Sequence, residues 1–216
     1  MRDFKTGEMS MAPGSMIMME GASSPQLFTV LSGVGLRFKL LENGRRQVIN
    51  FLFPGDFIGL QAGVMGKLSH NVEATTNMTL CAFQRSDLWR LFRNHPERAY
   101  DLTWVAAVEE HFLGETIASL GQRNALEKVA WALLRIYQRL EAVGLGSNGR
   151  ANWPMRQQDL ADALGLSLVH TNKTLAELRT IQAVTWQAGA ISIPDLEYLA
   201  RIGSTDLEPP PVRPLI

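Results

Sequence analysis

The feature that most constrains the fold is a change in hydrophobic period near Ser86. Before this residue, short runs of β-type residues are separated by turns, and Asn43-Gly44 is a dipeptide that accepts the positive φ of a tight hairpin. After it, apolar residues recur at the three- and four-residue spacing of amphipathic helices. The sequence therefore predicts an α+β chain with a β-rich N-terminal part and a helical C-terminal part.

The N-terminal part has the pattern of a small barrel or sandwich. Strands are predicted over four short segments, 27–31, 36–41, 47–53 and 77–83. They are separated by turn-forming residues such as Pro54-Gly55-Asp56, and a glycine-containing loop is expected at 63–66. Several short strands at this spacing favour a closed or two-sheet β structure over parallel βαβ units.

A long helix is predicted from Pro96 to Gly121, with the proline in its first turn. A heptad-like stripe runs along it and is interrupted by Glu109 and Thr116. Its apolar members are Leu102, Ala106, Leu113 and Leu120. Because such a stripe usually buries against a partner helix, we predict a two-fold dimer seam. The alternative is that the helix packs on its own barrel.

The C-terminal part carries the most specific pattern. Two helices are predicted over 156–163 and 168–179, after a longer one over 125–143. Small Ala161 lets two helices cross closely, Gly165 can take the backbone angles of a tight turn, and Ser167 can cap the following helix. This is the spacing of a helix-turn-helix, and the two runs that follow it, 184–186 and 191–193, predict a β-hairpin wing.

Composition excludes several classes of protein. The 216 residues include 21 Lys+Arg and 21 Asp+Glu, so a globally basic surface is not available for nucleic acid. The single cysteine, Cys81, excludes a disulfide framework and a zinc site with several thiolates. No signal peptide is visible, and no apolar run reaches the roughly eighteen residues of a membrane span. We therefore expect a soluble cytoplasmic protein with no membrane partner.

These features together resemble the Crp/Fnr superfamily of bacterial transcription regulators. The resemblance is carried by Leu31-Ser32-Gly33, by the turn at 54–59 and by 158–179, with a long helix before the last of these. It implies a β jelly-roll sensor barrel of the cyclic-nucleotide-binding type, a dimerisation helix and a winged helix-turn-helix. The expected boundaries are 1–95 for the barrel, 96–121 for the helix, 122–203 for the DNA-binding domain and 204–216 for a poorly ordered tail.

The resemblance implies a homodimer that regulates transcription by binding a near-palindromic operator in double-stranded DNA, with RNA polymerase as a further partner if it activates. On a helical wheel, Leu168, Thr171, Leu175 and Leu178 form the packing side of the second helix. Val169, Asn172 and Lys173 lie opposite and resemble the base-reading positions of Fnr-type relatives, with His170 at the edge. Those relatives usually have glutamate first and arginine last, so the usual half-site is not expected here.

The chemistry of these side chains fits base edges. Asn172 can pair with adenine, Lys173 can donate to guanine or phosphate, and Val169 can contact a thymine methyl. The remaining candidates for contact with DNA are Ser167, His170, Arg156 and Arg179.

Three cofactors enter through the resemblance. Members that bind cyclic nucleotides resemble one another in two features, a glutamate soon after the Gly-Asp turn and a later Arg-Ser pair. The corresponding segments of this chain, 60–62 and 68–72, contain neither feature. A buried phosphate would lack its bidentate partner, so we expect no cyclic nucleotide. An iron–sulfur cluster is not expected from Cys81 alone, which we take as a buried hydrophobe. Haem stays open, because His70, His111 or a methionine could serve as an axial ligand.

Two alternatives to a cofactor-free regulator follow. One is a sensor whose DNA binding depends on an unidentified small molecule or haem. The other, which is less favoured, is a cupin-like enzyme, because the same type of barrel houses metal-dependent enzymes. Such enzymes need several converging His and Glu ligands, and His70 is the one histidine of the barrel sequence. We therefore expect a regulator and no enzymatic activity.

Overall fold

The computed structural model describes residues 4–214 and divides into two compact units. Within the described residues, unit 1 consists of 4–112 together with 213–214, and unit 2 consists of Leu113–Val212. No helix within 4–214 has the length and apolarity that a membrane span requires.

Unit 1 is built mainly from strands. In its described part these are β1 (Lys5–Met11), β2 (Met16–Met18), β3 (Gln26–Ser32), β4 (Gly35–Leu40), β5 (Arg46–Leu52), β6 (Phe57–Ile58), β7 (Asn71–Ala74) and β8 (Met78–Gln84). They form two four-stranded antiparallel sheets with the orders β1-β8-β3-β6 and β2-β7-β4-β5. Two such sheets with long-range pairings make a jelly roll, which confirms the predicted fold.

Alternating side chains fill the core of unit 1. In β7, Val72 and Ala74 are fully buried, while Asn71 and Glu73, which alternate with them, are half-buried, as the period of two in a strand requires. Gly33 in the turn before β4 has φ 84°, and a Cβ there would lie 2.2 Å from the carbonyl oxygen of Asn77. The glycine of the Leu31-Ser32-Gly33 motif is therefore required by backbone conformation and by close packing.

Three helices begin in unit 1: α1 (Leu60–Met65), α2 (Leu88–Asn94) and α3 (Pro96–Gln122). The prediction of a loop at 63–66 was wrong for its first residues, because α1 continues to Met65 and packs the fully buried Ala62 into the core. The long helix α3 ends within one residue of its predicted end, and its last turns belong to unit 2.

Unit 2 is mainly helical. Its described elements are α4 (Ala125–Ala142), β9 (Gly146–Ser147), β10 (Arg150–Asn152), α5 (Gln157–Leu164), α6 (Leu168–Thr180), β11 (Thr185–Gln187), β12 (Ala190–Ser192) and α7 (Leu196–Ile202). Asn124 and Glu127 form a capping box at the start of α4. The predicted hairpin, β11 and β12, is extended by β10 and β9 into a four-stranded wing in the order β11-β12-β10-β9.

The segment after α7 makes specific contacts, in contrast to the poor order expected from 204 onward. Arg135 Nη2 donates to Thr205 Oγ1 at 2.8 Å and to Asp206 Oδ1 at 3.1 Å, and this contact lowers the pKa of the Asp206 carboxyl. Arg213 is held within unit 1 by Asp56 and Glu109. A sequence pattern rich in proline did not reveal these contacts because the partners are distant in the chain. Residues 215–216 of the expected tail lie outside the described residues.

Candidate nucleic-acid interface

The helix-turn-helix is formed by α5 and α6. Gly165 between them has φ 64° and ψ 27°, the left-handed conformation in which glycine is favoured. The N–H of Leu166 donates to the carbonyl oxygen of fully buried Ala161 at 3.0 Å, which fixes the turn against α5. Ser167 Oγ accepts from the N–H of His170 at 3.2 Å and so caps α6. The local geometry predicted for this turn is confirmed.

One side of α6 is packed inside unit 2. Thr171, Thr174, Leu175 and Leu178 are buried, whereas Leu168, which was predicted to pack, is 38% exposed. On the helical wheel, Thr174 lies at one edge of the buried arc, and Leu168 lies just outside the other edge. The Thr174 hydroxyl donates to the carbonyl oxygen of His170 at 3.0 Å, so its burial leaves no polar group unsatisfied. The prediction from hydrophobicity therefore placed Leu168 in the buried face, and Thr174 occupies that face instead.

The opposite side of α6 is open to solvent. Val169 is 80% exposed, and His170, Asn172 and Lys173 are also exposed. Ala176 is half-buried at the end of this surface. An apolar side chain exposed to this degree, beside an amide and an ammonium group, suits contact with base edges better than a solvated surface.

The two candidate arginines differ in their surroundings. Arg156 precedes α5, and its guanidinium donates to both carboxylate oxygens of Asp159, from Nε at 3.1 Å and from Nη2 at 2.9 Å. The Asp159 side chain is 2% exposed and that of Arg156 is 66% exposed. Arg156 therefore compensates a buried carboxylate while remaining open to solvent. Arg179 is exposed in the last turn of α6.

The wing adds a cation that the candidate set omitted. Arg150 opens β10 and is exposed, and it pairs in register with Ser192 of β12. No strand was predicted between the helix at 125–143 and the helix at 156–163. The glycines that flank Ser147-Asn148 were the available signal, because Asn148 and Gly149 both have the positive φ of a hairpin turn.

On α3, the four residues predicted to form the dimer seam differ in their exposure. Leu102 is only 4% exposed and packs with Val105 in an apolar cluster of unit 1. Glu109 also faces unit 1, where its Oε2 accepts from Arg37 Nη1 and from Asn50 Nδ2, both at 2.9 Å. Leu102 therefore lies in the core of unit 1 and not on an exposed surface of α3. For this residue the contact is the one that the alternative predicted, in which the helix packs on its own barrel. Leu120 is half-buried.

The exposed stripe of α3 is rich in small and apolar residues, and the exposed Glu110 also lies on it. Ala106 and Leu113 of the predicted seam are exposed, the latter by 39%, and Ile117 is exposed by 71%. The other small members of the stripe are Ala107, Gly114, Ala118 and Gly121. Small residues allow close approach of a second helix, and exposed leucine and isoleucine side chains favour its association.

The segment that the resemblance assigns to phosphate, 68–72, has no arginine in its sequence. The Ser69 hydroxyl donates to Gln61 Oε1. Burial, together with the charge of Arg37, lowers the pKa of the neighbouring His70 to about 4, against the opposing effect of Glu20, so its imidazole is neutral at pH 7. These residues do not fit the phosphate of a cyclic nucleotide. Within 4–214, no three His, Cys, Asp or Glu side chains are grouped as a metal site.

We expect the neutral His70 to make stability depend on pH. Its pKa is about 4 when folded and near its usual value of 6.5 when unfolded, so the unfolded chain takes up a proton at a higher pH than the folded chain does. The contribution is complete above pH 6.5 and is lost as the pH falls toward 4. Urea unfolding should show a free energy lower by about 1–3 kcal/mol at pH 4.5 than at pH 7, after allowance for solvent screening.

His70→Gln should remove that part of the pH dependence, and His111→Gln, at an exposed site on α3, should retain it. Equal slopes in the wild type and His70→Gln would contradict the assignment.

Comparisons with known proteins cover most of the chain. A cyclic nucleotide-binding domain model matches residues 8–95, and a Crp-like helix-turn-helix domain model matches 127–202. The chain is 32% identical over 182 residues to the nitrogen fixation regulation protein FixK of Bradyrhizobium diazoefficiens, covering 84% of this chain and 76% of FixK. It is 31% identical over 166 residues to the transcriptional activatory protein AadR of Rhodopseudomonas palustris, covering 77% and 68%.

Solved structures agree with these matches. FixK2 from Bradyrhizobium japonicum is 27% identical and superimposes with a TM-score of 0.83, covering 93% of this chain and 98% of FixK2. The Crp-family regulator TTHB099 from Thermus thermophilus, at 20% identity and a TM-score of 0.77, shares the fold. The relatives in sequence are transcription regulators, in agreement with the expectation of a regulator and not an enzyme.

Proposed function

Since the chain belongs to the Crp/Fnr family of DNA-binding transcription regulators, we propose that it acts as a cytoplasmic homodimer that reads a near-palindromic operator. The observation that carries the proposal is the open face of α6, where Val169 is 80% exposed beside Asn172 and Lys173. The capped start of α6 adds backbone N–H groups that can bind a phosphate.

The side chains of α6 divide into two roles. Asn172 pairs with adenine, Lys173 donates to guanine or to a phosphate, and Val169 contacts a thymine methyl in the major groove. Ser167 and His170, at the N-terminus of α6, bind a backbone phosphate, and Arg179 in the last turn binds a different one. Arg156, held by Asp159, adds positive charge beside the helix-turn-helix.

Dimerisation places two such helices on one duplex. Because 21 Asp+Glu balance the 21 Lys+Arg of the chain, no strongly basic surface is available for phosphate, and one half-site alone supports only weak binding. The exposed stripe of α3, with Leu113 and Ile117 at its centre, supplies the contact between two copies. Two-fold symmetry then requires half-site centres about 34 Å apart, one turn of B-DNA.

Selection of binding sequences from a random duplex pool tests this function. We expect an enriched near-palindrome whose half-sites are about one helical turn apart and contain an adenine at the position that Asn172 reads. An enriched site without internal symmetry, or no enrichment at moderate salt, contradicts the proposal.

We propose that the barrel does not take a cyclic nucleotide as an effector, because neutral His70 stands where a phosphate needs a cation. AadR is described as a transcriptional activatory protein. By analogy, we propose that this chain contacts RNA polymerase at promoters whose operators lie upstream. Transcription in a purified system, with cyclic AMP present or absent, should be activated equally.

A further inference from the structure

A cluster of charged side chains in unit 1 joins four separate parts of the chain. Arg213 Nη2 donates to Glu109 Oε1 of α3 at 2.8 Å, and Arg213 Nε lies 3.1 Å from Asp56 Oδ1 in the turn before β6. Arg37 of β4 binds the other oxygen of Glu109 at 2.9 Å. The side chains of Asp56 and Arg213 are 2% and 7% exposed. The segment that contains Arg213 thus reaches the interior of unit 1.

The two carboxylates are arranged to receive a guanidinium group. Asp56 Oδ2 accepts from the backbone N–H of Phe53 at 2.8 Å, which turns Oδ1 toward Arg213. Arg37 divides its guanidinium between Glu109 and the carbonyl oxygen of Phe57. Because buried carboxylates are costly without a nearby cation, Arg213 stabilises the turn and α3 together.

We propose that Asp56 and Glu109 form a guanidinium-binding site of unit 1, which the chain's own C-terminal segment occupies through Arg213. The ligand class is an alkylguanidinium cation, because a planar fork can reach both carboxylates from Nε and Nη2 while an ammonium group presents a single point charge. Since Glu109 lies on α3, filling this site fixes α3 to the strands of unit 1. The site is separate from the DNA-binding face of the proposed function and does not depend on it.

Thermal unfolding of the 216-residue chain tests the contribution of Arg213. Arg213→Ala leaves the carboxylates of Asp56 and Glu109 without this cation, and we expect its melting temperature to fall by about 5–10 °C. Val212→Ala, at a neighbouring residue that is 90% exposed, should melt with the wild type. If Arg213→Ala has the same melting temperature as the wild type, the proposal is overturned.

Chemical rescue tests the ligand class. Removing the buried Arg213 side chain leaves room for ethylguanidinium, which should raise the melting temperature of Arg213→Ala by about 3–5 °C at ten times its dissociation constant. Ethylammonium should give less than half of this gain, and adding Glu109→Gln to Arg213→Ala should reduce the gain from ethylguanidinium. The proposal fails if ethylguanidinium shifts the wild type, Val212→Ala and Arg213→Ala equally.

Discussion

Alanine at both Asn172 and Lys173 should abolish sequence-specific binding to the selected operator. Each side chain is exposed on the open face of α6, where a good contact with a base edge contributes about 1–3 kcal/mol. Each single variant should therefore bind about 10- to 100-fold more weakly, and the double variant should lose about 100- to 10,000-fold. Fluorescence anisotropy with labelled operator at fixed salt measures the loss.

Specificity separates the two side chains. Asn172→Ala should bind equally to operators that have any of the four bases at the position that Asn172 reads. If Lys173 binds a phosphate, Lys173→Ala should reduce the slope of log affinity against log salt concentration by about one. Lys67→Ala, at an exposed cation of unit 1, provides the matched control and should leave binding unchanged. Unchanged affinity and sequence preference in the double variant would remove α6 from the DNA-binding surface.

Ile117→Glu should convert the dimer to a monomer. Ile117 is 71% exposed in the single chain, and a two-fold axis along α3 would bring the two new carboxylates near each other in an apolar seam. We expect the dimer dissociation constant to rise at least about 100-fold, with a similar loss of operator affinity. Sedimentation velocity across a concentration series measures the first effect. Val64→Glu, at a residue of α1 that is 68% exposed, should remain dimeric.

Leu102→Ala distinguishes the exposed stripe from the seam expected from the heptad. Because Leu102 is 4% exposed in the core of unit 1, its truncation should lower the free energy of unfolding by about 2–5 kcal/mol. Its dimer dissociation constant should stay near that of the wild type. A weakened dimer without a loss of stability would instead support the seam predicted from the heptad-like stripe.

The sequence predicted the elements that have strong local signals. Gly165 and Ser167 fix a turn and a cap through their own backbone and side-chain preferences, and both are found in those roles. Long periodic helices such as α3 and α4 were also predicted to within about one or two residues, the usual uncertainty of a helix end. Short strands such as β6, with two residues, lack enough pattern to be seen without their pairing partners.

The faces of helices were predicted less well because hydrophobicity alone selected them. Leu168 is more apolar than Thr174, yet Thr174 is buried because its hydroxyl bonds to the helix backbone. On α3 the heptad passed through Glu109, whose partners Arg37 and Asn50 are far away in the sequence. The contacts of Arg213 were hidden for the same reason, since no local pattern reports a salt bridge to a distant turn.

Native mass spectrometry of the protein with its selected operator tests the central claim most directly. A homodimer that places one α6 in each half-site predicts two chains on one duplex, with binding much weaker when either half-site is scrambled. One chain per duplex, with the same affinity for the intact and the half-scrambled operator, would contradict it.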